Sequence, residues 1–202
     1  MNGSLSLMGI GMARIGKEPQ RRAALVAATI SEVGAAGSLD VTVGQIARRA
    51  GVSSALAHHY FGGKTDIFLA AMRHILTEYS AEVRAALKRT TVPEARLRAL
   101  VAANFAQSFF EPATVAAWLN FYVLAQRDPQ AARLLRIYKR RLRSNLIAAL
   151  RLHASDPAPV ADTLGALIDG LYLRAALGGT AMGAEATEQV MDCAEALTRG
   201  RT

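Results

Sequence analysis

Cys193 is the only thiol in 202 residues, so the chain can close no disulfide on itself. A reducing, cytoplasmic setting is the expectation that follows. No apolar run approaches the roughly 18 residues that span a bilayer, which argues against a membrane partner. Acidic residues are scarce: 16 Asp and Glu stand against 24 Lys and Arg, a net charge of +8. That balance suits a polyanionic partner. Enzyme signatures are missing as well. There is no G-x-G-x-x-G, no P-loop, no H-E-x-x-H and no nucleophile–base set, so neither catalysis, a cofactor nor a metal is expected. No sustained alternation of apolar and polar residues marks a strand. The first 13 residues, MNGSLSLMGIGMA, lack a basic start before their mildly apolar part and read as a disordered tail rather than a signal peptide. The rest, 51% hydrophobic and 20% charged across the whole chain, has the composition of a folded protein.

The most informative stretch is VGQIARRAGVSSALAHHYFG, Val43 to Gly62. Thr42 suits an N-cap. Val43, Ile46, Ala47 and Ala50 recur at helical spacing. Gly51 suits the left-handed residue that ends a helix. Ser53 can cap a second helix carrying Leu56, Ala57 and Tyr60. Ala47 is small where two helices must cross. In this order the features predict a helix-turn-helix. A helix precedes it from Glu18 to about Gly37, and a long one follows from about Thr65 to Lys88. Beyond residue 92, alanine- and leucine-rich helices are expected at 94–109, 113–126, 129–153, 158–178 and 184–199, with prolines at the breaks. Gly178 and Gly179 close the fourth of these. The predicted fold is all-α: a trihelical DNA-binding unit over residues 14–64, then a connecting helix and a larger bundle over 65–202.

Thr42 to Met72, TVGQIARRAGVSSALAHHYFGGKTDIFLAAM, resembles the DNA-binding signature of the TetR family of bacterial transcriptional regulators, through Ala47, Gly51, Val52, Ser53, Tyr60, Phe61 and Lys64. Ala117–Val123, Arg140–Leu146 and especially ALIDGLYLRAALGG (Ala166–Gly179) are similar to the choline-responsive, BetI-type repressors of glycine-betaine synthesis. The resemblance implies a ligand-responsive repressor, with choline or betaine aldehyde as effector and double-stranded operator DNA as partner. A TetR-type repressor of another small-molecule pathway, such as efflux or catabolism, is the alternative reading. A ligand-blind DNA-binding protein is the other.

In that setting the second motif helix lies in the major groove, where only side chains on its outer face read base edges. Ser54 and His59 are the candidates for base contact, with Ser53 and Tyr60 on the same helix segment. His58 stands where the family commonly has a tyrosine that touches phosphate, and the resemblance gives Lys64 a phosphate contact too. Thr42 and Gln45 sit at the N-terminus of the first motif helix, where free N–H groups favour phosphate. Tyr60 and Phe61 suit the small unit's core better than DNA. Arg48 and Arg49 fit a solvated face as well as a phosphate contact, and Arg14, Lys17 and Arg21 could form an arm over the backbone. One such unit is too small to specify a site, so a homodimer on a palindrome is expected. Leu164, Leu167, Ile168 and Leu171, with Gly165, Gly170, Ala175 and Ala176, are the expected dimer stripe. The basic run Arg133, Arg136, Lys139, Arg140, Arg141 and Arg143 reads first as a solvated face, and otherwise as a membrane-surface or second nucleic-acid face.

Aromatics make up only 6% of the chain, yet Phe105, Phe109, Phe110, Trp118, Phe121 and Tyr122 fall close together, with Tyr172 later. A quaternary ammonium gains about 0.5–2 kcal/mol per ring face. Phe105, Trp118, Tyr122 and Tyr172 are the candidate lining, with Asp169 as counter-charge. Core packing is the competing reading, strongest for Phe105, Phe109 and Phe121. An acid inside an apolar helix needs a partner. For Asp169 that partner is Arg174, a cation of a second subunit or a ligand, and the charge balance favours an internal ion pair.

Overall fold

The computed structural model describes residues 6–178 and 183–199, with side chains from Lys17 onward. Among the described residues it is all-α: α1 (Ser6–Ala36), α2 (Val43–Arg49), α3 (Ser54–Phe61), α4 (Lys64–Arg89), α5 (Arg96–Asn104), α6 (Pro112–Leu124), α7 (Pro129–Leu150), α8 (Pro157–Ala176) and α9 (Ala184–Arg199). None of these helices is long and apolar enough to cross a membrane.

Local chemistry explains most of the boundaries. Pro112, Pro129 and Pro157 open α6, α7 and α8, where a missing N–H costs little. Asp128 caps α7 by accepting from the Ala131 N–H at 2.8 Å. α1 begins at Ser6, ahead of the start expected near Glu18, and carries Pro19 within it. It also runs through Gly34 to Ala36 before Gly37 turns the chain at φ +63°. Residues 1–5 of the expected tail lie outside the described residues, as does Gly179. Gly178, at φ +96°, follows α8.

The helix expected over 94–109 is broken. α5 ends at Asn104, and a 3-10 turn, Gln107–Phe110, follows. Asn104 is buried. Its side-chain amide donates to the Leu100 carbonyl at 2.8 Å, and its oxygen accepts from the Tyr79 hydroxyl at 2.7 Å. The last residue of α5 is thus tied to α4.

One core runs through the molecule, with Leu25, Ile46, Phe68, Leu100, Phe121, Leu146 and Leu164 fully buried. α1 packs on α2, α4 and α6, α4 on α5 and α7, and α8 on α7 and α9. The stripe expected to meet a second subunit needs correction. Leu164, Ile168 and Leu171 are buried inside the chain itself. Leu167 is half-buried, and a Cβ on Gly165 would lie 3.9 Å from Leu146 of α7. α8 is apolar on more than one side. The face it leaves open carries Ala166, Gly170 and Leu173, with exposed Leu177 at its C-cap.

Candidate nucleic-acid interface and aromatic cage

α2 and α3 form the turn motif. Thr42 and Gln45 make a capping box: Thr42 Oγ1 accepts from the Gln45 N–H at 3.1 Å, and Gln45 Oε1 accepts from the Thr42 N–H at 2.7 Å. Gly51 takes φ +67°, which a side chain would strain, and the Val52 N–H closes the corner onto the Ala47 carbonyl at 3.0 Å. Ser53 Oγ accepts from the Leu56 N–H at 3.2 Å and starts α3. Ile46, Ala47 and Ala57 are buried beneath the crossing.

What remains outside is polar. Thr42, Gln45, Ser53, Ser54, Ala55, His58, His59 and Lys64 are all exposed or half-buried at the surface. His58, not Ala57, therefore shares the outer face. Its Nδ1 lies 2.6 Å from the Gly62 carbonyl oxygen, to which a protonated Nδ1 donates; Nε2 takes no part in that bond. Tyr60 is only half-buried and is held from within. The Arg22 guanidinium lies over its ring, 4.8 Å from the centroid, and donates to its carbonyl at 2.7 Å. Arg22 also bonds Glu18 at 2.8 Å, so its charge sits at the end of α3. Arg48 and Arg49 are both exposed, and Arg49 pairs with Glu32 of α1. Lys17 is exposed and Arg21 half-buried, while the Arg14 side chain lies outside the described residues.

A second feature lies in the bundle. A cavity of about 30 Å³ is walled by aromatic rings from four helices and the 3-10 turn. Trp118 and Tyr122 of α6, Asp169 and Tyr172 of α8, Tyr79 of α4, Tyr138 of α7 and Phe109 surround it. The Trp118 and Tyr138 rings are 5.1 Å apart, and Tyr79 meets Tyr138 edge-on at 5.5 Å. The Tyr172 hydroxyl donates to the Phe109 carbonyl at 2.9 Å. Asp169 is the only carboxylate in the wall. The Tyr138 hydroxyl approaches it at 3.4 Å, and among the described residues it forms no ion pair. Arg174, its expected partner, is exposed. Burial raises the Asp169 pKa, while Lys139 and the Tyr138 hydroxyl hold the rise back. Burial raises the Tyr79, Tyr122 and Tyr138 hydroxyls as well, with the Asp169 charge adding to the effect. Four of the five expected lining residues thus share one cavity. Phe105 does not join them; it is buried at the end of α5. The expectation lacked Tyr79, Asn104, Tyr138 and Ile168, and had Phe109 as core.

The pattern described as bacterial regulatory proteins, tetR family, matches residues 25–71, and that of the BetI-type transcriptional repressor C-terminal domain matches residues 93–199. The HTH-type transcriptional regulator BetI of Brucella anthropi is 54% identical over 84% of this chain and 89% of its own length. The chain belongs to the TetR family, as a BetI-type repressor. It is a DNA-binding regulator and not an enzyme. A transcriptional regulator from Pseudomonas aeruginosa PAO1 has a similar fold, with a TM-score of 0.81 at 25% identity over 90% of this chain and 92% of that one. A regulator from Saccharomonospora viridis, solved in complex with choline, superposes with a TM-score of 0.72 at 20% identity, over 87% of this chain and 95% of that one.

In this BetI-type repressor α4 links the cage to the turn motif directly, and α6 links the cage to α1, on which α2 packs. α4 supplies Tyr79 to the cage wall, and its first residue, Lys64, follows α3 after only Gly62 and Gly63. α6 supplies Trp118 and Tyr122, and it also docks on α1. The Asn120 amide donates to the Gly37 carbonyl at 3.2 Å. A Cβ on Gly34 would fall 2.5 Å from Ala113 Cβ, so the two helices touch there without room to spare.

Proposed function

We propose that the chain is a choline-responsive repressor of choline and glycine-betaine metabolism, acting in the cytoplasm as a homodimer on a palindromic operator. The observation that carries this reading is the cage: aromatic rings on several sides of one carboxylate that has no ion-pair partner among the described residues. A trimethylammonium cannot donate hydrogen bonds, so ring faces and a fixed negative charge are what recognise it. Trp118, Tyr122, Tyr138 and Tyr172 supply the faces, and Asp169 supplies the charge. The choline complex of the Saccharomonospora viridis regulator is consistent with it.

The size of the cage supplies a mechanism. About 30 Å³ holds roughly two waters. A trimethylammonium group must push the walls apart, and those walls belong to α4 and α6. The effector therefore binds a wider arrangement better than the closed one, which is the condition for shifting a population. α4 transmits the change to α3, and α6 transmits it to α1. In a dimer the two recognition helices then no longer match half-sites one helical turn apart. The open face of α8 around Leu173 and Leu177 is the surface offered to the second subunit, with α9 beside it.

The test is direct. DNA selected by the protein from a random pool should contain a palindrome, and choline should release that DNA at concentrations where calorimetry detects choline binding. Choline that neither binds nor releases DNA would remove this effector and leave a repressor of another pathway. Binding to random DNA as tight as to the selected palindrome would favour the ligand-blind alternative.

On the DNA side, Ser54 and His59 read bases. Thr42, Gln45, Ser53, His58 and Lys64 hold the backbone, and Tyr60 supports α3 from behind. Replacing Lys64 with Ala should weaken selected and random DNA by similar factors. The slope of log affinity against log salt should become shallower by about 0.9 for each phosphate that the lysine neutralises. Titrations at several salt concentrations measure both, and an unchanged slope removes the phosphate role.

A further inference from the structure

Tyr79 and Tyr138 have a second side. Beyond them, between α4 and α7, opens a groove of about 290 Å³ whose lining includes the same two residues. The chemistry of the groove is the reverse of the cage. Its lining contains no Asp or Glu, and two guanidiniums flank it: Arg73 from α4 and Arg141 from α7. Both are exposed, and neither has an ion-pair partner among the described residues. Between them lie Leu76, Leu134 and Ile137, the last an exposed large hydrophobic at 38% accessibility. Thr77 and Ser80 also line it. Their hydroxyl protons are committed to the Arg73 and Leu76 carbonyls at 2.7 Å each, so donors for an incoming ligand come from the arginines.

The neighbourhood strengthens the sign. Arg133, Arg136, Lys139 and Arg140 lie on α7 with no acid in that helix. Arg143 is the exception, held bidentate by Asp162 at 2.6 and 3.1 Å. A cleft lined by one sign of charge over apolar walls concentrates the opposite charge. The volume is close to the lower bound of about 300 Å³ for small-molecule sites. Two planar guanidiniums suit a carboxylate, and the leucine, isoleucine and tyrosine surfaces suit a short hydrocarbon body.

The geometry points to a second ligand site: the α4–α7 groove binds a small amphiphilic carboxylate between Arg73 and Arg141, across the tyrosine wall from the cage. This assignment does not depend on choline being the effector of the cage. Its ligand bears on α4 through Tyr79, the same residue that the cage uses.

Calorimetric titration with octanoate and with octanol separates head group from chain. Octanoate is expected to bind one per chain and at least tenfold more tightly than octanol. In the Arg73→Ala/Arg141→Ala variant that preference should disappear, with octanoate weakened at least tenfold and the melting temperature unchanged, because both side chains are exposed. Ile137→Glu, which puts a carboxylate in the groove, should also abolish octanoate binding. Equal affinity for octanol and octanoate overturns the assignment, as does octanoate binding that survives the double substitution. A choline titration of the double variant tests locality. Unaltered choline heats place the effect in the groove, and an equal weakening of choline binding refutes a separate site. If the parent protein gives no choline heat at all, the cage reading fails while the octanoate comparison still decides this one.

Discussion

Replacing Asp169 with asparagine is expected to weaken choline binding by about 10- to 100-fold and leave DNA affinity without choline unchanged. Asparagine keeps the shape of the side chain and an oxygen to accept from Tyr138, so the substitution removes charge and little else. At roughly 5 Å and an effective dielectric of about 20, a carboxylate and a quaternary ammonium attract by about 3 kcal/mol. Asp169 is only half-buried, so part of that is screened. The remainder, about 1.4–2.7 kcal/mol, gives the stated range. The pH dependence follows from the direction of the shift. Burial raises the Asp169 pKa, so the empty protein begins to protonate this carboxyl at a pH above that of an ordinary aspartate. Choline needs the charged form. Its affinity should therefore fall on acidification earlier than an exposed aspartate would allow, and the asparagine variant should show a flat profile over that window. The sign for stability is the reverse. A carboxyl with a raised folded-state pKa makes the fold less stable as pH rises through that pKa. Without choline, the asparagine variant should melt no lower than the parent at neutral pH. Calorimetry across pH and thermal melts measure both.

How far the cage can be read from the sequence depends on where its residues come from. Trp118 and Tyr122 are one helical turn apart, and Asp169 and Tyr172 are three residues apart, so each pair advertises itself as one face of one helix. Tyr79 and Tyr138 arrive from α4 and α7. Tyr79 reads as one more member of the α4 core stripe, and Tyr138 is hidden among the arginines of α7. Only packing brings them to 5.5 Å. Asn104 is similar: its bond to Tyr79 ties the end of α5 to a cage wall, and no local pattern announces a partner 25 residues away. Phe105, one residue later, turns into the core instead. The turn motif is legible because its determinants are local. Thr42 with Gln45, Ser53 with Leu56, and Gly51 with its neighbours all act within a few residues. The α8 stripe misleads because an apolar helix does not declare which side meets its own chain. Leu164, Ile168 and Leu171 face inward, and the open side is carried by smaller residues and by Leu173 and Leu177.

Gly34→Ala should lower stability by about 1–3 kcal/mol, a fall in melting temperature of roughly 2–12 °C for a chain of this size. Two effects oppose each other at this position. Alanine in a helix interior is worth about 0.5–1 kcal/mol over glycine. Against that, the added Cβ would sit 2.5 Å from Ala113 Cβ and 2.6 Å from Ala113 Cα. A clash with the tip of a flexible side chain could be relieved by rotation. A clash with Cα cannot, so α1 and α6 must move apart or strain, and the steric effect wins. Ala113→Gly in the same chain removes the clash between the two Cβ atoms and leaves the one with Cα, so it should rescue only part of the stability. The position also joins the two halves of the device, because α6 carries Trp118 and Tyr122 into the cage while α1 supports the turn motif. Splaying this joint should weaken DNA binding before any effector is added and shrink the further weakening that choline produces. Thermal melts of the single and double variants, with DNA titrations with and without choline, measure each part. A higher melting temperature for Gly34→Ala would mean that helix propensity wins and that α1 and α6 do not cross this closely.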